Sequence, residues 1–147
     1  MRLPALATAA AVCAGMFLPS PASAEMSPGV FWGHNNSYMS IIREGNSVTI
    51  RYADPKSSLR KHGVRRGKVL FRGQMTGSRI RGTAYTFKQG CLPASYNVSG
   101  RYTEGDYGVK TIVLSGAAPI REGCEVVGYT RNSSNARLEF RYAGTGD

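Results

Sequence analysis

The sequence predicts an all-β domain, a small antiparallel up-and-down barrel of seven or eight strands with one disulfide. A β-sandwich is the alternative. Three observations predict it. Apolar and polar residues alternate at period two over several short runs. Turn residues punctuate the chain between those runs. No strong helical period runs through it.

The elements follow in order. Trp32 belongs to a first strand, and Tyr38 to Arg43 is the next. Glu44-Gly45-Asn46 is a turn, and Ser47 to Tyr52 returns with Val48, Ile50 and Tyr52 on one face. That pair reads as a hairpin, stopped by Ala53-Asp54-Pro55. Residues 56–66 lack alternation and hold a short helical turn around Ser58 to His62, or a plain loop. Gly67 to Gln74 resumes as a strand, then Thr76-Gly77-Ser78 turns into Arg79 to Phe87. The apolar phase slips in that strand at Gly82, which indicates a β-bulge or a sharp bend. Tyr96 to Tyr102 alternates cleanly. Val109 to Ala117 follows, then an Ala-Pro connection to Cys124, a short strand Val126 to Tyr129, and Ala136 to Tyr142. Consecutive antiparallel strands must hide their edges, and closing the ring does so.

The N-terminal residues have the layout of an export signal. Arg2 is the only charge before Glu25, Ala5 through Leu18 are largely apolar, and Ala22-Ser23-Ala24 offers small residues at a cleavage site. Residues 1–24 are therefore expected to be a cleaved signal peptide and residues 25–147 a single β-rich domain, periplasmic or secreted. Cys13 is not preceded by the small residue a lipoprotein would need, because Val12 stands there. The apolar stretch is too short for a permanent span, and no second one follows, so the mature chain is expected to have no transmembrane segment. Cys91 and Cys124 remain, an even count that predicts a bridge in an oxidising compartment.

The formal net charge is +10. Its distribution is one-sided. Between Pro55 and Thr103 there is no Asp or Glu, while Lys56, Arg60, Lys61, Arg65, Arg66, Lys68, Arg72, Arg79, Arg81, Lys88 and Arg101 all fall there. Such a block concentrates anions near the surface. Arg60, Lys61, Arg65, Arg66, Arg72, Arg79 and Arg81 are the expected anion-binding residues, because the guanidinium fork grips two oxygens at once. The expected partner is an anionic envelope polymer, a lipid head group or an acidic protein. Nucleic acid is not expected outside the cytoplasm.

A second constellation surrounds the single tryptophan. Trp32, His34, Asn35, Ser37 and Tyr38 put a stacking surface beside hydrogen-bonding groups, the chemistry of a small-ligand site. The plainer reading makes Trp32 a core residue and the polar group a turn. Enzyme signatures are thin. His34 and His62 are the only histidines, and together they would suit acid–base cleavage of a phosphodiester. There is no nucleophile elbow, no phosphate loop before a helix and no His/Cys set for a metal. No catalytic residue, cofactor or metal is expected.

Two resemblances add to this reading. The run Trp32, Asn35, Ser37, Met39, Ile41 resembles the opening strand of the avidin family, which implies a small barrel and, by extension, a lipocalin- or avidin-like site near Trp32. Avidins wall their pocket with further tryptophans, which this chain lacks. More broadly, Trp32-x-His34-Asn35 with Ser37 and Met39, the stretch Gly67 to Gly73, Gly82-Thr83-Ala84-Tyr85-x-Phe87, Cys91, Gly116-x-Ala118-Pro119, Cys124 and Gly128-Tyr129 resemble a group of short exported alphaproteobacterial proteins. That likeness implies export and a shared fold. The resulting expectation is a non-enzymatic exported binding module with a basic surface.

Overall fold

The structure, a computed structural model, describes residues 14–19 and 21–146. Arg2, most of the leading apolar stretch and Cys13 lie outside the described residues. The chain forms a closed barrel of eight antiparallel strands with a two-stranded hairpin set into one connection. The barrel strands are β1 (Val30–His34), β2 (Ser37–Glu44), β3 (Ser47–Asp54), β4 (Val69–Thr76), β5 (Arg79–Thr86), β6 (Ala94–Glu104), β7 (Lys110–Ser115) and β10 (Arg137–Thr145). Each pairs with its neighbour in the chain, except that β7 pairs with β10 across the inserted hairpin β8 (Ala118–Glu122) and β9 (Glu125–Thr130). β1 pairs with β10 and closes the ring. This is the up-and-down barrel, not the sandwich.

Period-two patterning decides which residues go inside. Ile50, Ile80, Val98, Leu138 and Phe140 alternate with polar neighbours, and together with Ile41, Phe71, Ile112 and Leu114 they form one buried cluster. Burying such a side chain contributes ~1.5–3 kcal/mol. Both ends are covered. Val64, from the loop between β3 and β4, is fully buried over one end. Met26 is buried at the other, where its carbonyl accepts from the Arg43 amide at 3.0 Å. Glu25 completes that end. Its carboxylate accepts from the Tyr102 hydroxyl at 2.5 Å and pairs with Lys110, and its backbone carbonyl accepts from the Trp32 indole at 3.4 Å.

Two expectations need correction. The Ala-Pro segment before Cys124 is a strand, β8, paired with β9 from Ala118↔Thr130 to Glu122↔Glu125. Gly82 is not a bulge. β5 pairs with β4 and β6 in unbroken register through it, opposite Gly73 and Val98. The glycine is there because a Cβ would lie 2.2 Å from the Arg72 carbonyl oxygen. The strands approach too closely there for any side chain, and the pairing runs on unbroken. The apparent slip of phase arises because Gly82 leaves an inward position blank. The helical turn expected near Ser58 is present as α2 (Ser57–Lys61). A second short helix, α1 (Pro21–Glu25), precedes the barrel and contains the expected cleavage point after Ala24.

Candidate anion-binding site

Strand register places the wall residues. Outward positions of β4, β5 and β6 line up in rows across the sheet. One row runs Ser47, Gln74, Arg81, Ser99, Ser115. The next towards the β4–β5 turn pairs Thr76 with Arg79 and Arg79 with Arg101. On the other side Arg72 faces Thr83, which faces Asn97. Arg72, Arg79, Arg81 and Arg101 are all exposed. Two adjoining grooves, of about 950 Å³ and about 470 Å³, run along this wall and share Gln74, Arg81 and Ser99. Among the described residues no Asp or Glu lines either one.

The hairpin supplies the facing bank. Tyr129 and Arg131 border the larger groove opposite the β4–β6 wall. A two-stranded hairpin is marginal by itself, so its position depends on what ties it down. The Cys91–Cys124 disulfide joins its turn to the β5–β6 loop, with Cα atoms 5.2 Å apart. Arg121 on β8 donates to the carbonyls of Leu92 at 2.9 Å and Thr86 at 3.2 Å. Lys88 donates to the Gly123 carbonyl at 2.9 Å. Below the groove Tyr96 donates to the Asn135 carbonyl at 2.6 Å, and burial pushes its phenol up to about 12.

The seven expected anion-binding residues divide into two sets. Arg72, Arg79 and Arg81 sit on the wall. Their side chains, like those of Arg101 and Arg131, make no hydrogen bond or ion pair among the described residues. Arg60, Lys61, Arg65 and Arg66 sit in and after α2, at the barrel end that carries the β1–β2 turn. Three of them are engaged with their own loop. Arg60 pairs with Asp54 at 2.5 Å and donates to the Pro55 carbonyl at 2.8 Å. Arg65 donates to the Arg60 carbonyl at 2.7 Å and Arg66 to the Ala53 carbonyl at 2.9 Å.

The residues around the tryptophan also divide. His34, Asn35, Ser37 and Tyr38 line one open cleft with Glu139 and Arg141. Trp32 is not part of that cleft. It is sealed inside the barrel, edge-on to Tyr102 and Tyr142. Asn35 and Asn36 carry positive φ of 46° and 60°, forming the two-residue turn between β1 and β2. Ser37 is buried, and its hydroxyl accepts from the Lys56 amide at 3.0 Å. His34 donates through Nδ1 to the Glu139 carbonyl at 2.8 Å and stacks on Phe140. Burial holds its pKa below the ordinary 6.5, with Lys56 adding to the effect. His62 is exposed at the end of α2, and the cleft that holds His34 does not include it.

No group of three metal-ligating side chains occurs among the described residues, and no helix among them is long and apolar enough to cross a membrane. No protein-family model, curated protein or solved structure matches the chain. Sequence reasoning passed over Arg101, Arg131 and Tyr129 as site residues. Arg101 was recoverable, since it occupies an outward position of the alternating run Tyr96 to Tyr102. Arg131 and Tyr129 reach the site only through the fold of the hairpin.

Proposed function

We propose that this chain is a non-enzymatic, exported binding module that holds an anionic partner in the groove between the β4–β6 wall and the β8–β9 hairpin. One observation carries the reading. Unpartnered arginines gather around a groove with no carboxylate among its described lining residues, although Asp and Glu are present elsewhere on the barrel. Arg79 and Arg101 stand directly opposite each other across β5 and β6. Like charges so placed cost stability, and no carboxylate among the described residues pairs with either. A bound anion would. Export is supported by the bridge between Cys91 and Cys124 and by the exposed Met16-Phe17-Leu18 segment, which packs on nothing in the barrel.

The test is binding at low ionic strength to three anionic probes: polygalacturonate, polyglutamate and phosphatidylglycerol vesicles. At least one should bind, and release as salt rises, because exposed charges are screened over about 10 Å at 0.1 M. A variant carrying Arg79→Ala, Arg81→Ala and Arg101→Ala should lose that binding while keeping its circular dichroism spectrum. Failure of all three probes with the wild-type chain would defeat the proposal.

A further inference from the structure

We infer that the anion held in this groove is an acidic polysaccharide, a linear chain of hydroxyl-bearing sugar rings that also carry carboxylate groups. The inference rests on the anion-binding reading above and narrows it. The floor of the groove is the first argument. Between the arginines stand Gln74, Thr83, Asn97, Ser99 and Ser115, all neutral amides and hydroxyls that point outward. A phosphate or carboxylate needs only donors. Amide and hydroxyl side chains present acceptors as well, which suit a ligand with hydroxyl hydrogens to donate.

The second argument is Tyr129. It is 60% exposed on the hairpin bank of the larger groove, opposite that polar floor. An exposed aromatic ring lining the same groove as hydrogen-bonding groups suits a flat, partly apolar ring whose edge is polar. The third is extent. Arg79 and Arg81 are two residues apart on β5, so their Cα atoms are separated by roughly 6.7 Å. Arg101 lies across from Arg79, and Arg131 stands on the far bank beside Tyr129. Cations spread along two joined grooves fit charges repeated along a chain better than one compact anion.

Other partners fit less well. An acidic protein face would meet an apolar core at the centre of the contact, and the centre here is Arg81, Gln74 and Ser99. A lipid bilayer would need apolar residues beside the arginines. Leu92, Ile120 and Val127 are exposed, but none of them lines either groove. Single-stranded nucleic acid would want successive stacking platforms, and the groove offers one exposed aromatic.

The experiment measures affinity for polygalacturonate, polyglutamate, phosphatidylglycerol vesicles and a single-stranded DNA oligonucleotide, matched in charge concentration at fixed salt. Polygalacturonate should bind tightest. Tyr129→Ala should weaken it about tenfold, the size of losing an aromatic anchor, and leave polyglutamate within twofold. Tyr129→Phe should retain wild-type affinity, since the ring and not the hydroxyl is used. Tighter binding of polyglutamate, vesicles or DNA would overturn the inference while leaving the anion-binding proposal standing. So would an unchanged polygalacturonate affinity in a folded Tyr129→Ala variant. Absence of binding to every probe would remove both.

Discussion

Two arginine-rich regions of this barrel have similar composition and opposite circumstances. In the loop between β3 and β4, Arg60, Arg65 and Arg66 turn back on their own backbone and bond Pro55, Arg60 and Ala53 carbonyls. On the wall of β4–β6, Arg72, Arg79, Arg81 and Arg101 point away from the sheet with no partner among the described residues. The difference has a simple origin. An irregular loop leaves its carbonyls unpaired, and long cationic side chains satisfy them. In a paired strand most carbonyls are already held by the neighbouring strands, so fewer are open to a side chain. Sheet-face arginines find partners only where an acid or a free carbonyl stands beside them, as Arg137 and Arg141 do at Glu139 and Arg51 does at the Gly67 carbonyl, and the β4–β6 wall offers its arginines neither among the described residues. Charge read along a sequence does not distinguish the two cases.

The largest expected effect concerns the bank that faces the wall. Replacing Cys91 and Cys124 by alanine should lower stability by ~3–4 kcal/mol, the chain-entropy value for a loop of this length. Thermal unfolding followed by circular dichroism would show it. Polyanion affinity should also fall below the melting point, because Tyr129 and Arg131 lose their fixed position. Unchanged affinity would mean that the wall alone binds.

Exchanging the two regions tests the comparison directly. The triple wall variant, Arg79→Ala, Arg81→Ala and Arg101→Ala, should weaken binding on the order of a hundredfold, as expected for several lost charge-assisted hydrogen bonds. The matching loop variant, Arg60→Ala, Arg65→Ala and Arg66→Ala, should change affinity only slightly, by about twofold through long-range charge alone. It should instead destabilise the fold by ~1–2 kcal/mol, since the carbonyls lose partners. The reverse pattern would place the site in the loop.

Acid separates fold from site. His34 is half-buried, and desolvation depresses its pKa. Its contribution is complete above 6.5, the ordinary value, and stability should fall as pH drops below that, by at most ~1.4 kcal/mol per pH unit. The groove arginines stay charged throughout, so affinity per folded molecule should hold to pH 5. His34→Gln should flatten the stability profile. At the alkaline end Tyr52 and Tyr102 have raised pKa values, the first chiefly from burial and the second from burial and the Glu25 carboxylate. Their neutral forms stabilise the fold below the ordinary 10 and that contribution is lost as pH rises through the folded values.

The smallest effect is the most diagnostic of the wall. Arg101→Thr removes one of two opposed like charges and should raise stability by ~0.2–1 kcal/mol, while weakening polyanion binding. Unchanged stability would show that Arg79 and Arg101 splay apart, and unchanged affinity that Arg101 takes no part in binding.

Most of the fold is legible in the sequence because burial on one side of a strand imposes period two. Leu138, Phe140 and Tyr142 against Arg137, Glu139 and Arg141 show it plainly. β8 is not legible. Pro119 interrupts it, Arg121 and Glu122 end it, and only Ala118 is buried, so the run lacks the alternation that marks a strand. The site is half legible. The acid-free stretch points to Arg72, Arg79 and Arg81, but which cations stay unpaired depends on carbonyls elsewhere in space. Tyr129 and Arg131 join the groove through a disulfide spanning 33 residues. Trp32 misleads because polar neighbours in sequence become a turn above it, while the indole itself points into the core.

The seam between β1 and β10 has a consequence for how the molecule is made. A ring sewn shut by its earliest and latest strands holds two raw borders until the last segment arrives. A nascent polypeptide would therefore stay open and pliable until its final strand is made, and would become a rim-free cylinder only afterwards.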